Sequence, residues 1–176
     1  MKRISFIIIL ALIFFQLTGQ RLVNPNRPAN PAPGNRIIAL IELKTGIGSS
    51  DSSQPYTGIF YGADAVVGYQ ATRNFMAGIG AGVSFYKDGM LLPFYLDLRY
   101  IINSRFIEPY LFADGGLLFD TKDLDESKIF MNPGVGARYS ITKKLDIMGG
   151  AGLFFQTGNT DQNVFLSIRA GAAFRF

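Results

Sequence analysis

From Asn163 to Phe176 the chain alternates without a break. Val164, Leu166, Ile168, Ala170, Ala172, Phe174 and Phe176 fall on one side, and Phe165, Ser167, Arg169, Gly171, Ala173 and Arg175 on the other. Successive side chains of a β-strand point to opposite faces, so this stretch is a strand with one unbroken apolar face and one arginine-bearing face. The pattern recurs upstream. Phe75, Ala77, Ile79, Ala81, Val83 and Phe85 share a face, as do Leu92, Phe94, Leu96, Leu98 and Tyr100. Leu111, Ala113, Gly115, Leu117 and Phe119 form another, and Leu145, Ile147, Ala151, Leu153 and Phe155 a fourth. No stretch after residue 17 is apolar enough for a spanning helix, so the hydrophobicity of this chain resides in alternation, which marks an all-β protein.

Eight strands are expected, over about 36–45, 57–70, 74–87, 90–102, 105–119, 128–141, 145–157 and 163–176. Each is long enough to cross a bilayer, which takes about nine to eleven residues of tilted strand. The connections after the second, fourth and sixth strands share one hairpin pattern. Tyr69-Gln70-Ala71-Thr72-Arg73-Asn74-Phe75 matches Tyr100-Ile101-Ile102-Asn103-Ser104-Arg105-Phe106 and Tyr139-Ser140-Ile141-Thr142-Lys143-Lys144-Leu145. Each has an aromatic, a turn-forming Thr or Asn three residues on, a basic residue, and an apolar residue six residues on from the aromatic. The other connections share no pattern. Short repeated turns at one end and variable loops at the other suit an up-and-down barrel. Tyr69, Phe75, Tyr100, Phe106, Tyr139 and Phe174 or Phe176 would then gather near one rim as an interfacial aromatic girdle. Pro93, Pro109 and Pro133 fit a closed ladder only as strand-end features, because proline cannot donate to it.

The amino terminus supplies an address. Met1-Lys2-Arg3 is basic, Ile4 to Leu17 is almost continuously apolar, and Thr18-Gly19-Gln20 gives a small-residue exit. That is the layout of a secretory signal peptide over residues 1–19, with the apolar run too short to be read first as a spanning helix. Residues 20–35 carry prolines 25, 28, 31 and 33 and form an extended linker; the barrel occupies 36–176. The chain has no cysteine, which excludes disulfides, thiolate metal sites and an acylated-cysteine anchor. The formal charge of +4 falls by two when Lys2 and Arg3 leave with the signal, too little to argue for nucleic acid.

A soluble lipocalin-like barrel also has eight strands but places apolar residues inside and charge outside. Here the second face carries Gly78, Gly80, Gly82, Gly134, Gly136, Gly150 and Gly152, with scattered single charges. Glycine repeated on one face makes room inside a narrow barrel, whereas a water-exposed wall would be rich in lysine and glutamate. Lys87, Lys122, Lys128, Lys143 and Lys144 are instead read at turns and strand ends.

With the strand count, the Tyr-x-x-Thr/Asn turns and the terminal Phe176 in view, the chain resembles the small outer-membrane β-barrels of Gram-negative bacteria. These are the OmpX-like and OmpA-transmembrane-domain-like proteins of eight strands. The resemblance covers nearly all of the mature chain and implies a fold more sharply than a function. It implies contact with outer-membrane lipid and lipopolysaccharide, insertion by the barrel-assembly machinery through Phe176 as assembly signal, and no cofactor. A closed barrel needs no partner to cover an edge, so a monomer is expected.

Face parity sends Glu42, Asp64, Asp97, Glu108 and Asp114 inward with Arg99, Arg138, Arg169 and Arg175, and Lys44 joins them at the rim. An eight-stranded barrel is just wide enough for side chains to fill, so these nearly balanced charges are expected to pair as a plug. The alternative is a narrow path for ions or small solutes, gated by exchange of ion-pair partners. Catalysis is not expected. The chain has no histidine for the mechanisms used by outer-membrane lipid-modifying enzymes and barrel proteases, and nothing places Glu108 and Asp114 across a cleft. Gly78-Ile79-Gly80-Ala81-Gly82 lies within a strand and opens no helix, so it is no nucleotide loop. Asp123, Asp125 and Glu126 lack the spacing and glycine of a calcium loop.

Overall fold

The computed structural model describes residues 36–48, 56, 58–104, 106–121, 127–158 and 162–176. The expected signal peptide and linker, and the acidic segment around Asp123, lie outside the described residues. The strands are β1 (Arg36–Gly48), β2 (Ile59–Gln70), β3 (Phe75–Tyr86), β4 (Gly89–Ile101), β5 (Ile107–Asp120), β6 (Ser127–Ser140), β7 (Leu145–Thr157) and β8 (Gln162–Arg175). They pair antiparallel in chain order, and β8 returns to β1 to close the barrel. Closure removes both edges, so every strand finds a ladder partner on each side. The seam runs from Ile38↔Arg175 to Gly48↔Phe165, and the Phe176 N–H donates to the Ile37 carbonyl at 3.0 Å.

The apolar faces read from the sequence point outward. Ile41, Leu43, Tyr61, Val67, Ile79, Phe94, Leu96, Ile129, Met131, Leu166 and Ile168 are all exposed, while the core lies in the lumen. An ordinary soluble barrel would bury the first set and expose the second.

Two prolines depart from the strand-end expectation. Pro93 and Pro133 lie well inside β4 and β6. The β3–β4 pairing skips from Ala81↔Phe94 to Ser84↔Leu91, and the β6–β7 pairing from Met131↔Phe155 to Gly134↔Gly152. Each proline therefore sits in an interruption of one ladder while its other neighbour stays in register, as Pro93↔Leu118 and Pro133↔Ala113. The missing N–H is spent where no ladder bond exists. Pro109 is near the hairpin end of β5, as read from the sequence.

Two of the three repeated hairpins share one local chemistry. Thr72 Oγ1 accepts from the backbone N–H groups of Asn74 and Phe75, at 3.3 and 3.0 Å. Thr142 Oγ1 accepts from those of Lys144 and Leu145, at 3.2 and 3.0 Å. A threonine three residues past the aromatic thus folds the turn back on itself and leaves the basic residue beside it pointing into solvent.

Candidate functional site

The lumen is the place to look for function, because every inward side chain converges there. It is filled in layers. At mid-height, Arg99 reaches across from β4 to β1. Its Nη1 and Nη2 donate to the two oxygens of Glu42 at 3.0 and 2.8 Å, and its Nε and Nη2 to Asp97 at 2.9 and 2.7 Å. The planar fork of arginine suits such a double engagement, with both pairs charge-assisted. Arg169 of β8 reaches the same Glu42 at 3.4 Å and also bonds Asp114 of β5. Five of the expected residues, Glu42, Asp97, Arg99, Asp114 and Arg169, therefore form one network linking β1, β4, β5 and β8. Arg169 lies over the Phe112 ring at 3.8 Å, and Arg99 over Tyr110 at 5.6 Å. Stacking covers guanidinium faces that no carboxylate reaches.

Asp64 belongs to a neighbouring pair. Lys44 Nζ lies 2.6 Å from it, and the Tyr95 hydroxyl donates to it at 3.0 Å. Lys44 is buried and not a rim residue. Glu108, Arg138 and Arg175 form a separate cluster toward the hairpin end. Arg138 bonds Glu108 at 2.7 Å across the β5–β6 ladder, Arg175 bonds Asp146 and donates to Ser140 at 2.8 Å, and Arg138 lies 3.9 Å from Asp146. Glu108 and Asp114 thus serve different cations and face no common cleft.

Asp146 was missed by the sequence reading, although parity with the outward Leu145 and Ile147 sends it inward. Lys128 is at a strand end, as read from the sequence, but its side chain is buried there, the ammonium 5.0 Å from the Tyr56 ring.

Toward the variable-loop end the lumen turns aromatic. Phe60 meets Tyr86, Phe154 and Phe165 with ring centroids 5.2, 5.3 and 5.3 Å apart, and Phe130 stacks on Phe154 at 5.1 Å. Tyr56 caps this layer from the β1–β2 connection, edge-on to Tyr86 at 5.5 Å. Leu91 and Leu118 complete it, both fully buried. Offset and edge-on ring pairs add to the area they bury. Glycines give these rings their room: a Cβ on Gly46 would clash with the Phe60 ring, and one on Gly48 would meet the Phe165 ring at 2.7 Å.

The remaining residues singled out from the sequence are on the outer wall. Tyr69, Phe75, Tyr100, Phe106, Tyr139 and Phe174 are exposed and lie at the hairpin end of their strands or, for Phe106, beside it. Phe75 and Tyr100 are direct cross-strand partners. Phe176 is 78% exposed beside the seam.

No protein-family model matches the chain, and no curated protein matches it in sequence. Solved structures do. Neisserial surface protein A is 17% identical, aligns over 82% of this chain and 99% of its own, and gives a TM-score of 0.56. Ail, the attachment invasion locus protein of Yersinia pestis, is 12% identical over 81% and 99%, at 0.49. The N-terminal β-barrel domain of Pseudomonas aeruginosa OprF is 18% identical over 79% and 97%, at 0.48. The first of these likenesses establishes the fold: this is the closed eight-stranded architecture of small outer-membrane barrels.

Proposed function

We propose that this chain, with the fold of a small outer-membrane barrel, is an integral outer-membrane protein. Its role in this reading is structural or surface-interacting, its lumen is plugged, and it catalyses no reaction. The observation that carries the reading is the inversion of polarity: an apolar outer wall around a charged and aromatic interior. Such a wall is stable only against lipid, since its exposed leucines, isoleucines and phenylalanines form a belt far larger than a soluble monomer presents. The same inversion argues against a lipocalin-like carrier, which would need its apolar face turned inward around a ligand.

Residues 1–19 would direct export, 20–35 would tether β1, and Phe176 would be read by the barrel-assembly machinery. The outward aromatics at the hairpin end would sit at headgroup level, with outer-membrane phospholipid and lipopolysaccharide as neighbours and no nucleic acid or cofactor involved. A closed barrel supports a monomer.

The test is fractionation followed by gel mobility. The protein should partition with outer membranes and shift in mobility between unheated and boiled samples, and deletion of Phe176 should sharply reduce the heat-modifiable fraction. A protein soluble in the periplasmic fraction overturns the reading. The plug has its own test. Planar bilayers containing the parent barrel should show no steady single-channel steps, because an aromatic layer and a paired charge layer both block the axis. Steady steps that disappear on Arg138→Ala would favour a narrow channel instead.

A further inference from the structure

The exposed side-chain charge at the hairpin end is of one sign. Arg73, Lys143 and Lys144 stand exposed on the turns, and Arg36 is half-buried where β1 begins. The third hairpin carries Arg105 in the sequence at the corresponding place. The carboxylates near this end are withdrawn from the surface. Asp146 is fully buried against Arg175, and Glu108 is held by Arg138. Among the described residues, no exposed Asp or Glu side chain balances the turn cations.

The opposite end differs. Its described hairpin carries Lys87 and Asp88, one charge of each sign, and the sequence joining the other strands there carries Asp51, Lys122, Asp123, Asp125, Glu126 and Asp161. The barrel is therefore electrically polar along its axis, cationic on the short-turn side.

Position gives this collar its meaning. In two hairpins the basic residue follows a threonine whose hydroxyl closes the turn, and the outward aromatic precedes it by a few residues: Tyr69 before Arg73, Tyr139 before Lys143. Aromatics of this kind mark the level of lipid headgroups, so the cations just beyond them stand among the phosphates. They are spread around the perimeter on separate hairpins, not gathered on one face as a docking site for a protein would require.

We propose that this rim is a binding collar for anionic phospholipid headgroups, the phosphatidylglycerol class, in the leaflet on the short-turn side. The inference rests on the membrane-barrel reading above. Each cation near an anionic headgroup strengthens the association through charge and through hydrogen bonds to phosphate oxygens.

The experiment uses the full mature chain refolded into phosphatidylcholine vesicles carrying a trace of spin-labelled phosphatidylglycerol or spin-labelled phosphatidylcholine. The motionally restricted fraction of each label gives their relative association with the barrel. The expected preference for the anionic lipid is roughly two- to fivefold at low salt. It should fall toward unity in Arg73→Gln/Lys143→Gln/Lys144→Gln and in about 1 M salt, where the screening length shrinks to about 3 Å. The variant replaces only exposed turn side chains and keeps both threonines, so its heat-modifiable mobility should match the parent. A folded parent with no preference overturns the collar alone, as does a preference that survives in the triple variant. A parent that gives no heat-modifiable form in either lipid overturns the membrane reading beneath it. Co-sedimentation with peptidoglycan sacculi that the triple variant loses, without any headgroup preference, would assign the rim to the cell-wall polymer and overturn the lipid proposal.

Discussion

Replacing Arg99 with methionine should lower the stability of the folded barrel by about 3–5 kcal/mol, the usual cost of removing one partner from a buried ion pair. The measurement is the urea midpoint of the barrel in detergent or vesicles, followed by loss of heat-modifiable mobility. The Arg99 side chain is wholly shielded from solvent, and so is that of Asp97. Glu42 would keep Arg169 at 3.4 Å, but among the described residues the Asp97 carboxylate has no second partner. Methionine fills most of the space and supplies no donor, so an uncompensated charge is left in a dry layer. Adding Asp97→Leu should restore roughly half of the loss or more, since matched apolar residues commonly substitute for a buried pair at little cost. The outcome also bears on function. A single variant that loses less than about 1 kcal/mol would mean that water already solvates this layer, as exposed pairs contribute no more than that. The plug would then give way to the channel reading.

Much of this architecture is legible in the sequence. A lipid-facing wall demands an apolar residue at every second position, and that demand is met so regularly on β3, β4, β5 and β8 that faces could be assigned by parity alone. Strand ends were less legible. β1 runs on to Gly48 because Ile47 pairs with Ile59 and Gly48 with Phe165, contacts set by register with distant segments. Asp146 and Lys128 fall within the strands read at 145–157 and 128–141, but a charge next to a turn reads as solvated, and only the packing across the lumen shows both to be buried.

The aromatic layer left a signal that alternation obscures. Ile59-Phe60-Tyr61, Ile129-Phe130-Met131, Leu153-Phe154-Phe155 and Val164-Phe165-Leu166 are apolar at three successive positions, so both faces are apolar there. All four triplets lie at the loop ends of their strands, where the lumen is packed like the interior of a soluble domain. What no local pattern could reveal is who pairs with whom across the barrel. Arg99 and Glu42 are brought together by the stagger of strands around the axis, a property of closure and not of either segment.

The pair Gly115 and Gly116 offers the sharpest separation of the two faces. Valine at position 116 should abolish the folded, heat-modifiable barrel, while valine at 115 should leave it intact, although the two sites are adjacent on β5. A Cβ at Gly116 would lie 2.1 Å from the Phe94 carbonyl oxygen and 2.6 Å from the Tyr95 Cα. Both are backbone atoms of the neighbouring strand, which cannot swing aside as a ring could. Tyr95 itself is held by its hydrogen bond to Asp64 and its edge-on contact with Phe130 at 5.6 Å. Relief would require parting the β4–β5 ladder, so the cost should exceed the 1–3 kcal/mol typical of overpacking. At Gly115 the nearest atom is the Phe130 carbonyl oxygen at 3.7 Å, an ordinary contact, and the side chain would point outward. There a branched apolar residue suits both the strand and the lipid. Refolding yield of the two variants into the same vesicles, scored by gel mobility, decides the matter. Equal tolerance at both sites would mean that β5 is not locked against β4 at this height. Equal loss would mean that the outer wall at Gly115 is covered by something closer than lipid.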